Sequence, residues 1–144
     1  MPPNPNITFQ KQDKLHFVLP PKAKLTNWLP IVIKGERRQC GELSFFFCTD
    51  KYLLAINKKF LGHNTYTDVI TFDYSEGNTL SGEIFISIER VKENAKEYRQ
   101  SFRRELLRTM VHGTLHLCGY KDKTEAEKGK MREKENLALN LFYS

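Results

Sequence analysis

The sequence lacks long apolar runs: none of its 144 residues lies in a stretch approaching the roughly 18 consecutive apolar positions of a membrane-spanning helix, which excludes a transmembrane protein. Cysteine is sparse and odd in number. Cys40, Cys48 and Cys118 show no CxxC spacing, so neither a disulfide framework nor an all-cysteine zinc site is indicated, and Cys48, inside an aromatic run, reads as a small buried residue. The start, MPPNPNITFQKQDKLHF, has no basic segment, apolar centre and small-residue cleavage site of a secretory signal, so the expected compartment is the cytoplasm. Repeats, low-complexity tracts and Pro/Gly/Ser-rich linkers are also missing. With 40% hydrophobic and 12% aromatic residues, the expectation is one domain over residues 1–144, the proline-rich residues 1–5 forming a frayed end. Acidic residues are in deficit, 17 against 23 Lys plus Arg, and the resulting +6 favours polyanionic partners.

The residues present alternate between strand and helix patterns. Residues 6–10 and 15–19 offer a strand or an irregular strand pair, since Leu15, Phe17 and Leu19 alternate. Between Lys22 and Lys34, Leu25, Trp28, Leu29, Val32 and Ile33 recur at helical spacing, with Pro30 expected to kink or shorten the helix. ELSFFFCT at 42–49 reads as a buried strand, and Asp50 as the N-cap of a helix carrying Leu53, Leu54, Ile56 and Phe60. After a loop at 61–66, the runs 67–74 and 82–88 should pair antiparallel. Helices follow at about 89–100 and 101–117. Gly119 is placed to stop the second, and Thr124 with Glu127 matches a capping box opening a last helix through Met131, Leu137 and Leu141. The fold class is α+β: a small mixed sheet of about four strands covered by helices.

The chemically informative segment is HGTLHLCGYKD, residues 112–122. His112 and His116 stand at i and i+4 on the predicted helix, so both imidazoles leave one face about a turn apart. Gly119 lets the chain reverse, and Asp122 then returns as a third donor. Nitrogen and hard-oxygen ligands of this kind suit one zinc ion and leave a fourth position for a water that the metal would activate. The position that holds the general-base glutamate in HExxH peptidases is Gly113 here, which argues against proteolysis.

These residues resemble the YbeY-type endoribonucleases, the rRNA maturation factors. HGTLHLCGYKD is similar to their HGxLHLxGYxH, with Asp122 where the third histidine usually falls. INKKFLGHNTYTDVITF at 56–72 and SGEIFISIERV at 81–91 resemble two further family blocks in family order. The resemblance implies a single-domain zinc hydrolase acting on single-stranded rRNA of the small ribosomal subunit, in 3′ end maturation and quality control. It also implies that His112, His116 and Asp122 are the metal ligands and that the two histidines act catalytically through the metal-bound water. Thr67, Asp68, Thr71 and Phe72 would border the cleft, with Asn57 on the helix entering it. Leu61 departs from the pattern, standing where the family usually has an arginine.

Candidates for RNA contact in its place are Lys58, Lys59, His63, Arg104 and Arg108. Residues Lys96 to Arg108, with five basic and two acidic side chains, lead into the motif as a basic approach. Residues 121–135 are nearly balanced in charge and read as a solvated helix face. Two further readings stand beside the ribonuclease. One is a ribosome-biogenesis RNA-binding factor with a mainly structural metal, favoured by Leu61; the other is a small metallopeptidase, disfavoured by Gly113.

Overall fold

Aromatic and aliphatic side chains alternate along the strands, and that alternation gives the sheet two unequal faces. The computed structural model describes residues 6–144, so the frayed end expected at 1–5 lies outside the described residues. Its elements are β1 (Asn6–Lys11), α1 (Lys22–Gly35), β2 (Gln39–Cys48), α2 (Asp50–Leu61), β3 (Val69–Asp73), β4 (Thr79–Ser87), α3 (Ile88–Glu97), α4 (Phe102–Leu117) and α5 (Glu125–Tyr143). The sheet order is β1-β2-β4-β3, with β1 and β4 parallel to β2, and β3 antiparallel to β4 at the edge. The expected α+β class and four-stranded mixed sheet are what the structure shows.

Leu43, Phe45 and Phe47 of β2 and Leu80, Ile84 and Ile86 of β4 point to one face, where α1, α3, α4 and α5 cover them in the main core. The other face is covered by α2 over a small cluster, Cys48, Leu53, Ile56 and Ile70, with Phe46, Phe72 and Phe85 partly buried around it. The main core therefore lies under α4, and it fixes where the HGTLHLCGYKD segment sits.

Several local readings need correction. Residues 15–19 form no strand: Leu15 is buried and Phe17 packs on Phe47 at 5.1 Å, so their alternation reflects contact with the core rather than strand pairing. Pro30 lies inside α1 without ending it, because the buried stripe continues through Val32 and Ile33 on its far side. Thr49, not Asp50, caps α2: its hydroxyl accepts from the Tyr52 N–H at 3.2 Å. Asp50 instead accepts from the Ser87 hydroxyl at 3.0 Å and pairs with Arg90 at 2.7 Å. The inward stripe of α5 is Met131, Glu135, Ala138, Leu139 and Phe142, leaving Leu137 and Leu141 half exposed. Its capping box of Thr124 and Glu127 is present as expected.

Candidate active site

Helix α4 begins at Ser101, whose hydroxyl accepts from the Arg104 N–H at 3.1 Å, and runs under the sheet to Leu117. It can lie that close because of Gly113. A Cβ at that position would meet Ile84 Cγ2 at 2.7 Å and Val69 Cγ2 at 3.3 Å, so the residue after His112 faces the sheet. Position 113 therefore has no room for a glutamate and does not face the cleft, which removes the HExxH chemistry.

The chain reverses at Gly119, whose φ of 108° lies in the left-handed region that favours glycine. Its N–H donates to the His116 carbonyl at 3.0 Å and that of Tyr120 to the Leu115 carbonyl at 3.1 Å. This turn returns Asp122 to the two imidazoles. His112 Nε2 lies 3.0 Å from His116 Nε2 and 3.0 Å from Asp122 Oδ2, and His116 Nε2 lies 3.2 Å from the same oxygen. The structure thus brings the three residues of the sequence motif together.

Each ring nitrogen facing away from this cluster has its own partner. His116 Nδ1 donates to the Tyr120 carbonyl at 2.9 Å, and the Tyr120 hydroxyl donates to both Glu36 oxygens, at 2.7 and 2.8 Å, tying the turn to the end of α1. Lys134 adds a charge 3.5 Å from Glu36. His112 Nδ1 lies 2.6 Å from Glu135 Oε2, whose other oxygen accepts from Arg108 at 2.8 Å; Arg108 also reaches Asn136 at 3.1 Å. Burial works against protonation of His112. The hydrogen bond and charge of Glu135, helped by Asp68 and Asp122, outweigh it and hold the imidazole pKa above its ordinary value. Burial likewise works to raise the Glu135 pKa, but His112 and Arg108 overcome it and hold the carboxyl below its usual range.

The tautomers follow from these partners. With both Nδ1 atoms donating, the neutral imidazoles turn both Nε2 lone pairs toward a carboxylate oxygen, whereas a protonated His112 donates from Nε2 to Asp122, so a cation would take the place of that proton. A cation about 2.0–2.2 Å from each would satisfy such a set. The Glu135–His112 pair is the carboxylate–histidine arrangement that commonly orients a metal ligand. The donor chemistry therefore fits a small divalent ion.

Two hollows flank this cluster. One, about 470 Å³, lies between the end of α3, α4 and α5, with Asp68, Tyr98, Glu105, His112, Asp122 and Arg132 in its walls. The other, about 390 Å³, is walled by Asn57, Leu61, His63, Tyr66, Thr71 and His116. Of the residues expected to border the cleft, Asn57, Thr67, Asp68 and Thr71 do so. Phe72 instead turns to the opposite face, where it meets Phe60 and Phe85, each at 5.8 Å between ring centres, because strand alternation separates it from Thr71.

The basic candidates divide similarly. His63 stands in the second hollow beside His116, whereas Lys58 and Lys59 are exposed on the last turn of α2 and line neither hollow. Arg108 is engaged with Glu135 and Asn136, and Arg104 lies over the Tyr143 ring at 5.6 Å, beside the end of α5. Arg103 similarly lies over Phe142, so of the run 96–108 Arg108 alone among the basic side chains lines a hollow. The cations lining the first hollow besides Arg108 are Lys128 and Arg132 of α5. Glu135 is the residue that sequence reasoning missed. Its only signal was its place four residues after Met131 on the inward stripe, hidden by the neighbouring charges.

A family model described as endoribonuclease YbeY matches residues 8–143. A curated protein described as endoribonuclease YbeY from Flavobacterium psychrophilum is 48% identical over 130 residues, covering 90% of this chain and 93% of its own. One from Cytophaga hutchinsonii, similarly described, is 47% identical over 136 residues and 94% of each chain. A solved solution structure of a Thermotoga maritima protein superposes with a TM-score of 0.63 at 26% identity, covering 95% of this chain and 89% of that one.

Proposed function

From the premise that this chain belongs to the endoribonuclease YbeY family, as the match over residues 8–143 shows, we propose that it is a metal-dependent endoribonuclease cutting single-stranded RNA. The substrate in this reading is rRNA of the small ribosomal subunit, cut in 3′ end maturation and ribosome quality control. A cytoplasmic location accords with that substrate; no helix among the described residues is long and apolar enough to cross a membrane.

The observation that carries the proposal is the convergence of His112 Nε2, His116 Nε2 and Asp122 Oδ2 to within 3.0–3.2 Å of one another. These residues would hold one zinc ion, which when bound supplies Lewis acidity toward a phosphoryl oxygen and lowers the pKa of a coordinated water. The protein's own contribution is orientation. Glu135 and the Tyr120 carbonyl fix the two tautomers, Arg108 keeps Glu135 in place, and Gly119 sets the return of Asp122. Lys128 and Arg132 at the edge of the larger hollow offer cations to the RNA backbone, and His63 offers an imidazole on the opposite side.

The test compares zinc-loaded wild type with His116→Ala on a single-stranded RNA. Cleavage should fall by at least 100-fold in the variant, consistent with loss of a metal ligand. Equal cleavage by both would assign the activity to a contaminant and remove the proposal. Leu61, half exposed in the smaller hollow, supports the second reading of an RNA-binding factor with a structural metal. Salt-sensitive RNA binding without any metal-dependent turnover would select it.

A further inference from the structure

The larger hollow contains a carboxyl group that the cleavage chemistry does not use. Glu105 lies on α4 seven residues before His112, hence on the same side of the helix, and its residue is only 5% exposed. Glu105 is one of the residues lining the hollow, and no side chain or backbone N–H among the described residues donates to its carboxyl. Arg108 is already committed to Glu135 and Asn136, and the Thr109 hydroxyl donates to the Glu105 backbone carbonyl at 2.9 Å rather than to the carboxyl. The carboxyl oxygens are open to the hollow rather than sealed in the core, so their donors come from whatever fills it, and partial burial pushes the Glu105 pKa up against the opposing pull of Arg108.

The surroundings indicate which ligand would supply those donors. The volume of about 470 Å³ lies within the range of about 300–1,000 Å³ usual for small-molecule clefts. Tyr98, about half exposed, offers an aromatic face, while Asn94 and Gln100 add amides beside it. Lys128 and Arg132 supply positive charge on the α5 side. His112 and Asp122 form part of the same wall, so an RNA nucleotide seated here would bring its adjoining phosphate to the metal-ligand cluster.

We propose that this hollow is a nucleobase subsite in which the Glu105 carboxylate reads guanine next to the scissile phosphate, with Tyr98 stacking on the base. Guanine offers two adjacent N–H donors on its pairing edge, from N1 and the exocyclic amine, that match the two oxygens of one carboxylate. Adenine presents an acceptor next to a donor there, and uracil presents acceptors on either side of one donor. The subsite deepens the ribonuclease reading and rests on it for the position of the cut, but binding of the base does not require turnover.

The experiment therefore begins without chemistry. The full chain in EDTA is titrated with GMP, AMP, CMP and UMP, following amide chemical shifts. GMP should bind about ten-fold or more tightly than the others, with shifts at Glu105, Tyr98 and Asn94. Glu105→Gln should bring the four affinities within about three-fold of one another, and Tyr98→Ala should weaken all four, with thermal unfolding used to check that each variant is folded. Equal binding of the four by wild type, or a guanine preference unchanged in Glu105→Gln, overturns the subsite. Should Glu105→Gln not fold, the wild-type preference and the Tyr98→Ala titration decide. A second arm maps cuts on a random single-stranded RNA. Guanine should border the cut in wild type and lose its preference in Glu105→Gln. Cuts without base preference overturn the subsite while leaving the ribonuclease; guanine binding without any cleavage keeps the subsite and removes the ribonuclease.

Discussion

The two walls of the cleft are built differently. On one side, α4 and α5 hold the His112–Glu135–Arg108–Asn136 chain, with a carboxylate only 6% exposed at its centre, and the turn after α4 is tied to Glu36. On the other, residues 62–68 run without helix or strand, and most are exposed. Asn57 ties them to α2, its side-chain amide donating to the Thr65 carbonyl at 2.8 Å and its backbone carbonyl accepting from the His63 N–H at 3.2 Å, while the Ser87 N–H donates to the Asp68 carbonyl at 2.9 Å and Arg90 lies over the Tyr66 ring at 5.6 Å. The contrast separates two tasks. In the proposed reading, donor atoms for a metal would be held to a fraction of an ångström by buried, redundant partners, whereas a wall that admits RNA would be served by a segment with fewer contacts.

Glu135→Ala should give the largest effect, because it leaves Arg108 without its carboxylate and His112 Nδ1 without an acceptor. We expect about 3–5 kcal/mol loss of stability in urea unfolding and about 10–100-fold weaker zinc binding by competition titration. A loss as small as one on the opposite wall would erase the contrast. Next comes Gly113→Ala, whose methyl must displace Ile84. A cost of about 1–3 kcal/mol in thermal unfolding is expected; a neutral result would show that α4 shifts freely over the sheet.

Asn57→Ala should cost only about 1 kcal/mol, because the Thr65 residue it serves is exposed to water. Hydrogen exchange should quicken at 62–68 and remain slow in α4; acceleration spread over both would mean that the walls are one unit. The smallest effect concerns thiols. Burial pushes the Cys118 thiol up to about 11 and that of Cys48, with the charges of Asp50 and Glu89 adding, up to about 12. A group whose pKa is raised on folding contributes its full stability below its unfolded pKa of about 8.5–9 and loses it as the pH climbs through the folded value. Stability should thus be indifferent to these thiols at neutral pH and decline from about pH 9 upward. Iodoacetamide at pH 8 should label native Cys118 at least ten-fold more slowly than a free thiol, and rapid labelling would show that the α4 wall opens.

Much of the anchored wall was legible in the sequence because its signals are local. His112, His116, Gly119 and the Thr124–Glu127 cap each act over three or four residues, so spacing alone positions them. Glu135 was not legible. It lies 23 residues from His112 in sequence, and the reading of α5 named only Met131, Leu137 and Leu141 along it and treated residues 121–135 as solvated. Strand pairing shows the same limit. The β3–β4 hairpin was readable from its short connection, whereas the parallel β1–β2 and β2–β4 pairings join segments whose partners no local pattern specifies. Within the basic run 96–108, the charge count did not say that Arg108 finds an internal partner in Glu135.

The position of Glu135 also bears on how the protein is made. A nascent chain that has exposed α4 but not yet α5 carries both histidines and Asp122 but lacks the carboxylate that orients His112, and the far wall of the larger hollow is still missing. Such an incomplete chain has the donor atoms without their alignment. Alignment of His112 by Glu135 therefore requires α5 docked against α4, which makes this contact depend on the pairing of two helices rather than on either alone.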